Sequence, residues 1–119
     1  MFSHVLLSML VAAPSSAPPP NPNPQRQAFT RCLAGYLVAD LKEKTAADAF
    51  KAKLATLCKV EAEAFRQASV RADLAVGIKA AAAQENAAGE IKDIVDTQGE
   101  RYKSYLETNT SPVASPKTP

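Results

Sequence analysis

The sequence predicts an all-α protein: a disulfide-stapled antiparallel helical hairpin followed by a long helix. That last helix either continues helix two or folds back to complete a three-helix bundle. Three observations lead there. All nine prolines lie outside residues 25–111, leaving an alanine-rich stretch that nothing interrupts. Apolar residues between Phe29 and Phe65 recur every three or four positions, the period of an amphipathic helix. The only two cysteines, Cys32 and Cys58, each lie thirteen residues from Thr45. In a hairpin turning at Thr45, equal arms bring them to one height, ~20 Å from the turn at 1.5 Å per residue. Helix axes pack about 8–10 Å apart and bridged Cα atoms about 4.4–6.8 Å apart, so a disulfide needs a close seam. Gly35, Ala55 and Ala62 supply one.

In chain order, residues 1–17 read as an export signal. Val5–Ala13 is an apolar run of nine residues followed by small residues, too short for the roughly 20 that span a bilayer. It lacks a Lys or Arg before it, and Pro18 disfavours cleavage after Ala17, so cleavage after Ser15 is the alternative. The tract Pro14–Pro24, whose residues 18–24 form a linker, is expected to be extended and polyproline-like. Residues 25–108 form the helical domain and 109–119 a disordered tail.

Helix one runs from about Gln25 to Lys44, with Phe29, Cys32, Leu33, Tyr36, Leu37 and Leu41 on one face and Asp40–Lys44 as an i,i+4 pair. Thr45 opens helix two, with Asp48 three residues on as a short capping box. Its face is Phe50, Leu54, Leu57, Cys58, Ala62 and Phe65, which sets Leu33 opposite Leu57 and Tyr36 opposite Leu54. Beyond it, Leu74, Ile78, Ile91, Val95, Tyr102 and Leu106 continue an apolar stripe. No Pro marks a turn in that stretch, and Ser69 is the only N-cap candidate near its start. Gly77, Gly89 and Gly99 are expected to soften the helix without ending it. An unbroken helix from Ala46 to Glu107, the favoured reading, spans ~93 Å and leaves its far half uncovered.

A core built from Ala, Leu and Val is marginal at 119 residues. Closing the Cys32–Cys58 loop contributes ~3.5 kcal/mol in the chain-entropy model. A cysteine pair used this way belongs to an oxidising compartment, so the protein is expected to be secreted or periplasmic.

The formal charge of +2 is too small to argue for nucleic acid. The helices lack the basic, aromatic-rich face that membranes select, so no membrane insertion is expected after signal removal. Residues 25–71 carry nine basic and five acidic side chains and residues 72–107 four and seven. That asymmetry favours folding back or an antiparallel dimer.

Catalytic and cofactor signatures are missing from the sequence. His4 is the sole histidine and lies in the export segment, and bridged cysteines leave no thiolate. Glu90, Asp93, Asp96 and Glu100 are the one carboxylate group dense enough for an enzyme or a metal binder. Lys92, Arg101 and Lys103 interleave with them, so a self-compensating solvated face is favoured. The expected function is non-catalytic and adaptor- or chaperone-like: self-association as a homodimer, or binding of a helical protein partner. Leu74, Ile78, Ile91, Val95, Tyr102 and Leu106 are the expected contact, with Cys32 and Cys58 holding the hairpin and no metal or cofactor. A purely structural three-helix bundle is the alternative.

Overall fold

The structure, a computed structural model, describes residues 20–112. The expected export segment, the first part of the proline tract and residues 113–119 lie outside the described residues. Four helices follow in order: α1 (Asn23–Glu43), α2 (Ala47–Leu54), α3 (Lys59–Ala75) and α4 (Ala80–Thr108). The described residues contain no strand. The all-α class and the Cys32–Cys58 disulfide are both present, the bridged Cα atoms lying 6.1 Å apart.

α1 begins two residues earlier than expected. Pro22 is its N-cap and Pro24 sits in its first turn. A proline there lacks only an N–H that has no intrahelical partner, and its fixed φ already suits the helix. The polyproline stretch therefore does not extend through Pro24. At the other end Lys44 adopts a left-handed conformation with φ 54°. Its N–H donates to the Leu41 carbonyl, and the Thr45 N–H donates to that of Asp40, closing the helix as a Schellman turn.

The unbroken helix from Ala46 to Glu107 is corrected at two places. The first break spans residues 55–58. The Thr56 hydroxyl donates back to the Lys53 carbonyl at 2.8 Å, and Cys58 takes a left-handed φ of 57° as it meets Cys32. Neither Gly nor Pro marks this break, because the cause is tertiary: the bridging residue is held by α1. The second break falls at residues 76–79. Gly77, with φ +87°, gives its N–H to the Leu74 carbonyl, and Ile78 gives its N–H to that of Asp73. This is again the Schellman pattern, with glycine at the position that needs φ > 0. Gly77 thus ends a helix, while Ser69, the N-cap candidate for the alternative of a turn, is buried inside α3.

Two local expectations at the first turn also change. The N-cap of α2 is Ala46, without a side-chain cap. The Thr45 hydroxyl instead donates to Asp40 Oδ1 at 3.1 Å. Asp40 pairs with Lys53 at 2.9 Å rather than with Lys44, because the left-handed turn takes Lys44 out of helical register.

Cross-contacts give the helix directions. Cys32 meets Cys58 and Phe29 stacks on Phe65, so α1 and α3 are antiparallel. Arg26 pairs with Glu90 and the Asp40 carbonyl accepts from Tyr102, so α1 and α4 are parallel. Phe50 stacks on Tyr102, and a side chain placed at Gly99 would touch Leu54, so α2 runs antiparallel to α4. The main core is Phe29, Leu33, Leu37, Phe50, Leu54, Phe65 and Tyr102. These side chains come from all four helices, and each contributes about 1.5–3 kcal/mol by leaving water. A second, smaller core of Val70, Ala83 and Ala87, with Ile78 against it, joins α3 to α4 near their connecting turn.

Candidate functional site

The stripe expected to meet a partner is mostly covered by its own chain. Tyr102 is fully buried, and Ile91, Val95 and Leu106 pack on the main core. Ile78 packs on the second core. Leu74 alone among the six is exposed, at 47%. The premise of an uncovered stripe is therefore corrected, and its cause is the turn at Gly77, which folds α4 back over α3 and α1.

Val76 joins Leu74 at this turn and is 77% exposed. Both lie beyond the reach of α1. Arg26 stands over the Phe65 ring at 5.2 Å and pairs with Glu90 at 2.6 Å. Only one turn of α1 precedes Arg26, so among the described residues α3 past about Val70 and α4 before about Ala87 have only each other. Asn86 donates to Asp73 at 3.1 Å and Arg66 to Gln84 at 2.5 Å, tying this two-helix end together along its polar side.

The carboxylate face is divided among separate partners. Glu90 pairs with Arg26, and Asp96 with Lys92 at 2.6 Å. The Lys92 ammonium holds the Asp96 carboxyl below its usual range. Asp93 faces a shallow recess with Thr30, Thr97, Gln98 and Arg101, and Glu100 is exposed. One group of potential metal donors comes together among the described residues: Cys32, Cys58 and Glu61. The disulfide occupies both sulfur atoms, which leaves a single carboxylate and no chelate.

A polar knot between α1, α2 and α4 was not visible in the sequence. Asp40 is 4% exposed and accepts from Lys53 Nζ at 2.9 and 3.1 Å and from the Thr45 hydroxyl. The Tyr102 hydroxyl donates to the Asp40 carbonyl at 3.2 Å and to the Thr45 carbonyl. Burial pushes the Tyr102 phenol above its ordinary value, partly opposed by the Thr45 bond. The bond to Asp40 raises Lys53. Asp40 and Lys53 stand thirteen positions apart across a turn, so no helical spacing could have linked them. The satisfied partners make the knot an architectural brace.

A cleft of about 480 Å³ lies between the C-terminal turns of α1 and α4. Val38, Leu41, Tyr105 and Leu106 line it together with Lys42, Lys44 and the cap of α4 from Asn109 to Pro112. Because α1 and α4 are parallel, both helices end at this cleft. The sequence placed Leu106 on the expected contact stripe but gave no sign that Lys42 and Lys44 would line the same cleft.

No family model matches the chain, and comparison with curated proteins and with solved structures finds no match. Among the described residues, no helix is long and apolar enough to cross a membrane.

Proposed function

We propose that this is an exported, non-catalytic helical protein that acts by self-association or by binding a helical protein partner, through the free end of the α3–α4 pair. The observation that carries this reading is the exposure of Leu74 and Val76 where α1 no longer covers the two helices. An apolar side chain at the end of a projecting helix pair gains about 1.5–3 kcal/mol when a partner covers it. Export is supported by the disulfide together with the short apolar segment at Val5–Ala13. The absence of catalysis is inferred from carboxylates divided among separate partners and from cysteines joined to each other.

Chromatography of the oxidised protein with inline light scattering tests the proposal, alone and with a Leu74→Lys/Val76→Lys double variant. Association that the double variant abolishes, with helical content unchanged, is the expected result. Association that survives the variant sinks the assignment. A monomer at every concentration that also captures no partner favours the second reading, a self-contained structural bundle. Ile91, Val95, Tyr102 and Leu106, all packed on their own chain, support that alternative. In either case Ile91→Lys/Val95→Lys is expected to unfold the protein rather than to dissociate it, since both side chains lie against the main core.

A further inference from the structure

α2 and α3 follow one track. Along α1, Lys53 of α2 meets Asp40, Cys58 meets Cys32 and Phe65 of α3 meets Phe29, in steady antiparallel order. Along α4, Phe50 stacks on Tyr102, Leu54 lies beside Gly99 and Val70 packs with Ala87 and Ala83, again in one direction. The apolar stripe also keeps its phase across the gap. Phe50, Leu54, Cys58, Ala62 and Phe65 succeed one another at helical spacing, and all belong to the main core or pack on it. A single helix would bury the same side chains, yet the chain is interrupted at residues 55–58.

Nothing local asks for that interruption. Ala55-Thr56-Leu57-Cys58 holds neither Gly nor Pro, and α3 has no side-chain N-cap. The Thr56 hydroxyl bond to the Lys53 carbonyl is of a kind that forms inside regular helices as well. The interruption leaves the first N–H groups of α3 without intrahelical acceptors. It also sets Cys58 at φ 57°, a region that a residue with a Cβ disfavours. What acts on Cys58 from outside is its bond to Cys32. In a single helix the N–H groups of Cys58, Lys59, Val60 and Glu61 would instead donate to the carbonyls of Leu54, Ala55, Thr56 and Leu57.

We propose that this interruption is a redox-set conformation: reduction of Cys32–Cys58 lets residues 55–58 become helical, joining α2 and α3 into one helix from Ala47 to Ala75. A dithiol reductant supplies two electrons and two protons by thiol–disulfide exchange. Its own thiols pair, the S–S bond breaks, and Cys32 and Cys58 are left as thiols. Exchange with an oxidised disulfide reverses the step and restores the interruption. The export proposed above would take the chain from a reducing compartment to an oxidising one, and so from the continuous to the interrupted form. The switch itself needs neither export nor the Leu74–Val76 surface.

Nuclear magnetic resonance of the full chain, oxidised and with excess dithiothreitol, tests the proposal. Overhauser contacts from Ala55 to Lys59 and from Thr56 to Val60, the mark of a continuous helix, are expected only after reduction. Amide exchange at Val60 and Glu61 is expected to slow by about tenfold or more in the same step. Helices that stay intact on reduction without these contacts overturn the proposal. Val60→Pro covers a reduced chain that unfolds instead. Val60 is 79% exposed and its N–H lies in the first turn of α3, so the oxidised form accepts a proline there. A continuous helix does not, because the N–H is lost and the ring meets the Thr56 carbonyl. Equilibration with glutathione is therefore expected to favour the disulfide in Val60→Pro over wild type by about tenfold or more. An equal or smaller equilibrium constant, the result for a reduced state that is unfolded or still interrupted, overturns the proposal.

Discussion

The Tyr102 hydroxyl offers a test of how the α1–α2 corner is held. Tyr102→Phe keeps the ring, its stacking on Phe50 at 3.9 Å and its fully buried position. It removes the donor to the Asp40 and Thr45 carbonyls. The Asp40 carbonyl retains the Thr45 N–H at 3.1 Å, so the principal loss falls on the Thr45 carbonyl. A net loss of about 1–2 kcal/mol at pH 7 follows, equivalent to about 4–16 °C in Tm for a domain of this size. The second half of the prediction concerns pH. Burial raises the phenol pKa of the folded state, so above about pH 10 the unfolded chain releases its proton first. The hydroxyl's contribution is then fully present below pH 10 and declines by about 1.4 kcal/mol per pH unit above it, until the folded-state group ionises. The stability gap between wild type and Tyr102→Phe should therefore be constant from pH 6 to about pH 9 and close towards pH 11. Urea denaturation followed by circular dichroism at each pH measures it. A gap below about 0.3 kcal/mol at pH 7, or one that stays constant to pH 11, would refute the assignment of Tyr102 as the bond that closes this corner.

Two further perturbations probe the turns. Cys32→Ser/Cys58→Ser, or reduction of the wild type, is expected to lower stability by ~3.5 kcal/mol; equal denaturation midpoints with and without reductant would contradict a bracing role. Gly77→Ala is expected to cost about 1 kcal/mol through φ alone, since an added Cβ meets nothing within 4 Å. A neutral result in thermal denaturation would mean that the α3–α4 turn relaxes without loss.

The parts of this fold that were legible in the sequence are those written locally. The three- and four-residue spacing picked out Phe29, Leu33, Leu37, Phe50, Leu54 and Phe65, all of which are buried. The disulfide was legible because chain distance, compartment and small neighbours pointed the same way. The break at residues 55–58 was not, because nothing in Ala55-Thr56-Leu57-Cys58 disfavours helix until α1 holds Cys58 in place. Gly77 was legible in principle: a glycine followed by Ile78, the hydrophobic partner of a Schellman turn, marks a helix end. Treating it as one soft position in a long stripe hid that signal. Asp40 could not be paired with Lys53 from spacing, nor Lys44 placed on one cleft with Tyr105 and Leu106, since each arrangement exists only once the turns have formed.

These turns also distribute stability unevenly along the molecule. At the α1–α2 corner, four buried aromatic or leucine side chains and the Asp40–Lys53–Thr45–Tyr102 bonds act on the same few residues. At the far end, Val70, Ala83 and Ala87 are the whole buried core between two helices. Alanine pairs bury little area, and buried area is what opposes local opening. The end carrying Leu74 and Val76 is therefore the part that separates at least cost, and it is also the part where an external apolar surface has most to add. The cleft lies at the firm end instead. There a lysine held in a left-handed conformation can be tolerated, because the surrounding contacts over-determine the turn.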